Sequence, residues 1–212
     1  MNVEAASRVI AECKVAATAN NFRAESFQID ISQEESVKKA TKYMIDAFGR
    51  IDYCINCAGI GVQLQRGISE ADFGEFSRFL RIHAEGTFLL VRSVSAAMQR
   101  QELRPIEPAN PGRGGTRGSI VTLGSGNSFA AAPHLVQYTA AKHAVLGVTK
   151  NAGEFGPPYG VYPIWPSSQL TRGICPILQL WITQPMGSGS IVSAPRGWRR
   201  LWSKTPGTVV WM

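Results

Sequence analysis

Tyr138-Thr139-Ala140-Ala141-Lys142 is a Tyr-x-x-x-Lys motif, and Ser125 lies thirteen residues before the tyrosine. Residues four apart on a helix share one face, one turn above the other, so this spacing sets a phenol beside an ammonium group. A free tyrosine titrates near pH ~10, too high for proton transfer at neutral pH, and a neighbouring cation lowers that value by favouring the phenolate. Ser125 follows Ser119-Ile120-Val121-Thr122-Leu123, which reads as a buried strand. Its hydroxyl then stands at the strand's carboxyl end, where open α/β sheets hold their ligands. A hydroxyl that holds a carbonyl oxygen, a phenol that gives or takes its proton and a lysine that tunes the phenol together suit carbonyl/alcohol redox chemistry.

The elements that must position these groups follow a strand–helix alternation. A helix is expected from residue 2 to about 18, with Val3, Ala6, Ile10 and Cys13 on one side. Phe27-Gln28-Ile29-Asp30-Ile31 alternates as a short strand, and Ser32 with Glu35 forms a capping box for the next helix. That helix carries Val37, Thr41, Met44 and Phe48 at helical spacing and stops at Gly49. Ile51–Asn56 is a second strand, closed by Ala58-Gly59. A long helix from Asp72 to about Gln101 has an inner stripe of Phe76, Leu80, His83, Thr87, Leu90, Val94 and Met98. After a Pro/Gly/Arg loop from Pro105 to Gly118 come the Ser119–Leu123 strand and a Tyr-Lys helix starting near Val136. Such alternation predicts a mostly parallel sheet with helices on both faces.

The chain has 212 residues, 44% of them hydrophobic, which suits one α/β domain. The net charge of +7 is unevenly spread. Residues 1–154 hold 17 Lys/Arg and all 15 Asp/Glu, and residues 155–212 hold five Lys/Arg and no acid. No basic stripe interleaved with aromatics appears, so nucleic acid is not an expected partner. Met1-Asn2-Val3-Glu4-Ala5 lacks a signal-peptide pattern, and the apolar stretch Ile174–Ile182 is too short to span a bilayer. A cytoplasmic protein without membrane contact is therefore expected. Cys54-Ile55-Asn56-Cys57 has a Cys-x-x-Cys spacing, but there is no second pair and no thioredoxin-like helix start. Two cysteines at a buried strand end, and no metal, are expected. Beyond about Val161 the pattern changes. All five tryptophans (Trp165, Trp181, Trp198, Trp202, Trp211) lie there, among many prolines, and no helix or strand is read.

These residues resemble the short-chain dehydrogenase/reductase family, and its fungal members in particular, over roughly residues 1–160. The resemblance implies a Rossmann-like, doubly wound parallel sheet. It also implies an NAD(P)-dependent oxidoreductase acting on a secondary alcohol or ketone, with NADP the slightly preferred cofactor. Ser125, Tyr138 and Lys142 match the family's catalytic Ser, Tyr and Lys, and the lysine also binds the nicotinamide ribose. Asp30 matches an Asp that holds the adenine. Asn56-Cys57-Ala58-Gly59 is similar to the family's Asn-Asn-Ala-Gly turn, with Cys57 replacing an Asn. Asn56, Ala58, Gly59, Tyr138 and Lys142 are thereby implied in cofactor binding. The two long helices are implied as a homo-oligomer face, and fungal secondary metabolism as the setting.

Three features depart from the family. His83 stands three residues before Gly86-Thr87-Phe88, where the family has a catalytic Asn. An imidazole can hydrogen-bond a water as an amide can, which would preserve a proton relay; the other reading is a satisfied core histidine. The family's first strand, Gly-rich turn, first helix and second strand have no counterpart, and no Gly-x-Gly-x-x-Gly occurs. Such a turn brings backbone N–H groups to a pyrophosphate. Without its central strand, the Asp30 strand should part from Ile51–Asn56 and leave an exposed edge. Residues 161–212 fade from the family pattern into an irregular tail, consistent with a foreign reading frame or a retained intron. The organisation expected is thus a partial NAD(P)-binding domain, 1–160, and an atypical tail, 161–212. The alternative to an enzyme is a truncated, non-catalytic remnant that at most pairs with a longer relative.

Overall fold

The computed structural model describes residues 3–17, 22–106, 112, 114–154, 161–164 and 209–211. The chain divides into two compact units, Met1–Gln28 with Pro166–Pro206, and Ile29–Trp165 with Gly207–Met212. Within the first, α1 (Val3–Ala16) is the expected amphipathic helix, with Ala6, Ile10 and Cys13 half-buried. All residues named for chemistry lie in the second unit.

The second unit is built on a four-stranded sheet. Its strands are β1 (Tyr53–Asn56), β4 (Gly118–Thr122), β5 (Val161–Ile164) and β6 (Val209–Trp211), in the order β5-β4-β1-β6. All three pairings are parallel, and Cys54 of β1 lies opposite Ile120 of β4. Two short strands, β2 (Arg104–Pro105) and β3 (Gly115–Thr116), form a separate antiparallel pair in the Pro/Gly/Arg loop. The helices are α2 (Glu34–Phe48), α3 (Phe73–Phe79), α4 (Gly86–Gln99) and α5 (Val136–Glu154).

Period-two burial decides which sheet face is core. Cys54 and Asn56 of β1 and Gly118, Ile120 and Thr122 of β4 are buried, whereas Ile55, Ser119 and Val121 are half-buried. The core gathers Cys54 and Ile120 with Val37, Ile51, Leu90, Val91, Val94 and Met98. Each such aliphatic side chain contributes about 1.5–3 kcal/mol of burial free energy. Met98 packs so closely on Gly118 that a Cβ there would come within 2.5 Å of its sulfur. At the entrance to the sheet, the Gln101 amide donates to the carbonyls of Ile51 and Arg117 and accepts from the Ile51 N–H, which fixes β1 against β4.

The long helix from Asp72 forms, with Asp72 accepting from the Glu75 amide as its cap. It is not uniform: Leu80–Glu85 is a π-helical turn between α3 and α4. That wider turn shifts the inner stripe, so Phe79 is fully buried while Phe76 and Leu80 are only half-buried.

Four sequence expectations change. Residues 27–31 form no strand. A strand needs a ladder partner, and the neighbour of β1 on that side is β6, with Tyr53 opposite Val209 and Ile55 opposite Trp211. The edge of β1 expected to be open is thus paired. Ser32 and Glu35 form no capping box: the residue before α2 is Gln33, without a side-chain cap, and the Ser32 hydroxyl donates to Asp30 instead. Residues 161–164 and 209–211 are strands, so the segment after 160 is not irregular throughout. The remainder of that segment, with most of its tryptophans, lies outside the described residues.

Candidate active site

The ends of β1 and β4 point the same way because the strands are parallel, so residues 57–60 and 123–125 emerge together at their carboxyl edge. α5 runs back along this edge. Lys142 is only 6% exposed, and its Nζ donates to the carbonyl of Leu123 at 2.9 Å, just past β4. Burial pushes its pKa down from 10.5 to about 8, and the Cys57 thiol nearby partly opposes that fall. The Lys142 Nζ lies 5.6 Å from the centre of the Tyr138 ring. Tyr138 is half-buried, with its ring edge-on to Phe79 at 6.4 Å and to His83 at 5.8 Å. Thr139, Ala140 and His143 of α5 line a separate groove of about 600 Å³.

Ser125 stands where the motif requires, three residues beyond the end of β4, and caps the short 3-10 turn Gly126–Ser128. Its hydroxyl accepts from the Asn127 amide at 3.2 Å, while the Ser128 hydroxyl accepts from the Ser125 amide. Asn127 in turn donates to Thr139 on α5, which ties the serine loop to the tyrosine helix. The hydroxyl hydrogen of Ser125 stays available for an external acceptor.

On the opposite strand end, Asn56 is buried. Its amide nitrogen donates to Thr87 on α4, and its oxygen accepts from the Ala58 amide. Both ends of that side chain thus hold the turn that follows β1. The next residues meet His83, which is 2% exposed in the π-helical turn. Its Nε2 lies 3.1 Å from the Ile60 nitrogen and 3.0 Å from the Ile60 carbonyl oxygen. A Cβ on Gly59 would stand 2.5 Å from the imidazole Cε1, so no side chain fits there. Burial and then the nearby Lys142 ammonium push the His83 pKa below 6.5, and the bond to Ile60 opposes them.

Cys54 and Cys57 are free thiols. Burial raises Cys54 to about 12 and Cys57 to about 11, with the Lys142 charge opposing the latter, so both are neutral and poorly nucleophilic at neutral pH. Among the described residues no cluster of three or more His, Cys, Asp or Glu could hold a metal. Asp30 sits apart from these groups in an exposed turn before α2, where its Oδ1 accepts from the amide and hydroxyl of Ser32. The turn docks on α4 through Ile31, whose side chain would be 3.1 Å from a Cβ at Gly86.

The chain belongs to the short-chain dehydrogenase family. The family described as short chain dehydrogenase matches residues 1–164. Among curated proteins, the chain is 62% identical over 186 residues to short-chain dehydrogenase virB of Hypocrea virens and 45% identical to srdC of Neurospora crassa. These matches cover 88% of this chain but 61% and 64% of the two relatives, so the chain spans under two thirds of their length. Among solved structures, sorbitol-6-phosphate 2-dehydrogenase SrlD from Erwinia amylovora aligns with a TM-score of 0.62 at 26% identity. That alignment covers 76% of this chain and 56% of SrlD. ElxO with NADP bound aligns with a TM-score of 0.54 at 25% identity, covering 69% of this chain and 55% of ElxO. The Rossmann-like α/β fold follows from these likenesses.

The family's use of a nicotinamide dinucleotide can be set against the residues present. Lys142 gives one ammonium hydrogen to Leu123 and keeps two, and Gly59 is exposed at the same edge. These groups fit the nicotinamide-ribose end of such a cofactor. Spacing and resemblance name Ser125, Tyr138, Lys142 and His83 as candidates, but neither reveals the Cys57–Lys142 proximity or the His83–Gly59 contact. The glycine's neighbour lies 24 positions away, and no spacing rule links them.

Proposed function

We propose that this chain carries the reactive half of an NAD(P)(H)-dependent oxidoreductase acting on a secondary alcohol or ketone. The observation that carries the reading is Lys142, buried beside Tyr138 and anchored on the carbonyl of Leu123, at the strand edge that also presents Ser125. The cofactor, when bound, supplies or accepts the hydride. In the reducing direction Ser125 donates its hydroxyl hydrogen to the substrate carbonyl oxygen. Tyr138 gives its proton to that oxygen as negative charge develops on it, and Lys142 stabilises the phenolate left behind. In the oxidising direction the phenolate takes the alcohol proton. Lys142 and Gly59 hold the nicotinamide-ribose end, and Asp30 is the adenine contact proposed by family resemblance. His83 stands at the family's Asn position, and Asn56 and Ala58 shape the turn beneath it.

NADP is the preferred form, supported by ElxO, a likeness whose solved structure holds NADP. A substrate from fungal secondary metabolism is supported by the fungal origin of virB and srdC. A cytoplasmic location agrees with the finding that no described helix is long and apolar enough to cross a membrane. A homo-oligomer through the two long helices belongs to the same proposal. One observation favours a second reading, a non-catalytic remnant: the sequence contains no Gly-x-Gly-x-x-Gly turn for the pyrophosphate. Titration of the purified chain with NADPH, followed by nicotinamide fluorescence, separates the two. Saturable binding is expected, and its absence would overturn autonomous catalysis in favour of the remnant.

A further inference from the structure

Ser125 and Tyr138 belong to different elements, yet both must reach one substrate oxygen. Ser125 precedes the 3-10 turn Gly126–Ser128, and Tyr138 lies in the first turn of α5. α5 grips the serine loop at two points. Lys142 donates to the carbonyl of Leu123 at 2.9 Å, and the Asn127 side-chain amide donates to the Thr139 hydroxyl at 3.0 Å. Leu123 and Asn127 stand two residues before and two residues after Ser125, and Thr139 directly follows Tyr138. The backbone N–H of the same Asn127 donates to the Ser125 hydroxyl oxygen at 3.2 Å. The remainder of Ser125 is held inside its own turn: its N–H donates to the Ser128 hydroxyl, and its carbonyl accepts from the Ser128 N–H. A hydroxyl has one hydrogen and two lone pairs. The Asn127 N–H occupies one lone pair of Ser125 and leaves the hydrogen to be given outward. A hydroxyl that already accepts one bond is polarised and donates the next more strongly.

We infer that Asn127 is a positioning residue: its side chain pins the serine loop to the tyrosine helix at Thr139, and its backbone N–H orients the Ser125 hydroxyl. This rests on the proposed roles of Ser125 and Tyr138 and goes beyond them by naming the pair that sets their spacing. Neither Asn127 nor Thr139 touches the reacting atoms; both act through Ser125. The geometry explains why one bond matters. An O–H···O bond holds only over a donor–acceptor distance of about 2.5–3.0 Å, so a serine loop that drifts from α5 loses its grip on an oxygen that Tyr138 still reaches. Misplacement by about 1 Å is enough to cost roughly a hundredfold in rate.

The test compares Thr139→Val, Thr139→Ser and Asn127→Ala with the parent chain. Valine keeps the shape of threonine without its hydroxyl, whereas serine keeps the hydroxyl. Two readouts are used: hydrogen exchange of the Asn127 backbone N–H by NMR, and turnover set against NADPH affinity. Loss of the pin should speed that exchange by about tenfold in Thr139→Val and in Asn127→Ala. The double variant should exchange no faster than either single one, because both remove the same bond. Turnover should fall by roughly tenfold to a hundredfold in each, with NADPH affinity kept within a few fold. Thr139→Ser should restore both readouts. Parent-like exchange in Thr139→Val, additive effects in the double variant, Thr139→Ser behaving like Thr139→Val, or faster exchange with unchanged turnover each overturns the inference. Should Thr139→Val fail to fold, Asn127→Ala, on the other element, decides by the same readouts. The exchange readout needs no cofactor, so a chain that fails to bind NADPH defeats the proposed function while exchange still decides the pin.

Discussion

The carboxyl edge of β1 and β4 and the turn around Asp30 use similar residues in opposite ways. At the sheet edge, Lys142, His83 and Asn56 are buried, and each is bonded to backbone or side chain from another element. At the Asp30 turn, the carboxylate is exposed and its partner Ser32 is two residues away. Long-range partners fix a polar group only where a packed scaffold surrounds it, and burial then raises what each bond is worth. Short-range partners hold the Asp30 carboxylate locally, while Ile31 beside it docks the turn into the core against α4. The polar groups of the sheet edge are therefore preorganised by the fold, and the Asp30 carboxylate by its own near neighbours.

The largest expected effect on this contrast is chemical. Tyr138→Phe should lower turnover by roughly 10²–10⁴-fold, as removal of a positioned acid–base group does, with NADPH affinity kept within a few fold. Comparable turnover in the variant would remove the tyrosine from the chemistry. Next comes the scaffold. Ile120→Ala should cost about 2–5 kcal/mol in denaturant unfolding, because Ile120 is fully buried between β1 and α4. A cost near zero would mean the sheet edge does not depend on this core.

A smaller effect is a pH signature of Lys142. Its folded pKa of about 8 lies below its reference value of 10.5, so between these pH values the unfolded chain binds more protons than the folded one. Stability should therefore rise with pH across that window, by at most about 1.4 kcal/mol per unit, and be lost again as pH falls toward 8. Lys142→Met should flatten this slope. An equal slope in the variant would assign it to other groups. The smallest effect belongs to the other region. Ser32→Ala removes a bond in an exposed turn and should cost about 0.5–1 kcal/mol in denaturant unfolding. A cost as large as that of Ile120→Ala would erase the distinction between the two regions.

Much of this could be read from the residues because it depends on local period and short motifs. α2 with its Gly49 stop, β4, and α5 starting at Val136 form as their apolar spacing implies. The Tyr138–Lys142 pair needs only one helical turn to bring phenol and ammonium together. What sequence spacing could not supply was the choice of neighbours. Phe27–Ile31 alternates like a strand but forms none, and β6, from the far end of the chain, pairs with the edge of β1 that was expected to be open. The Ser32–Glu35 capping box lost to a tighter bond between Ser32 and Asp30. His83 was readable as a candidate, but its attachment to Gly59 and Ile60 depends on a π turn that no period-3.6 stripe reveals.

The most direct measurement of the central claim follows NADPH consumption by the purified chain over a panel of ketones, with Tyr138→Phe and Lys142→Met measured alongside. Saturable consumption is expected with at least one ketone, abolished in Tyr138→Phe and weakened in Lys142→Met. Consumption that persists unchanged in Tyr138→Phe, or none with any ketone although NADPH binds, would contradict a Tyr138–Lys142 alcohol/ketone site.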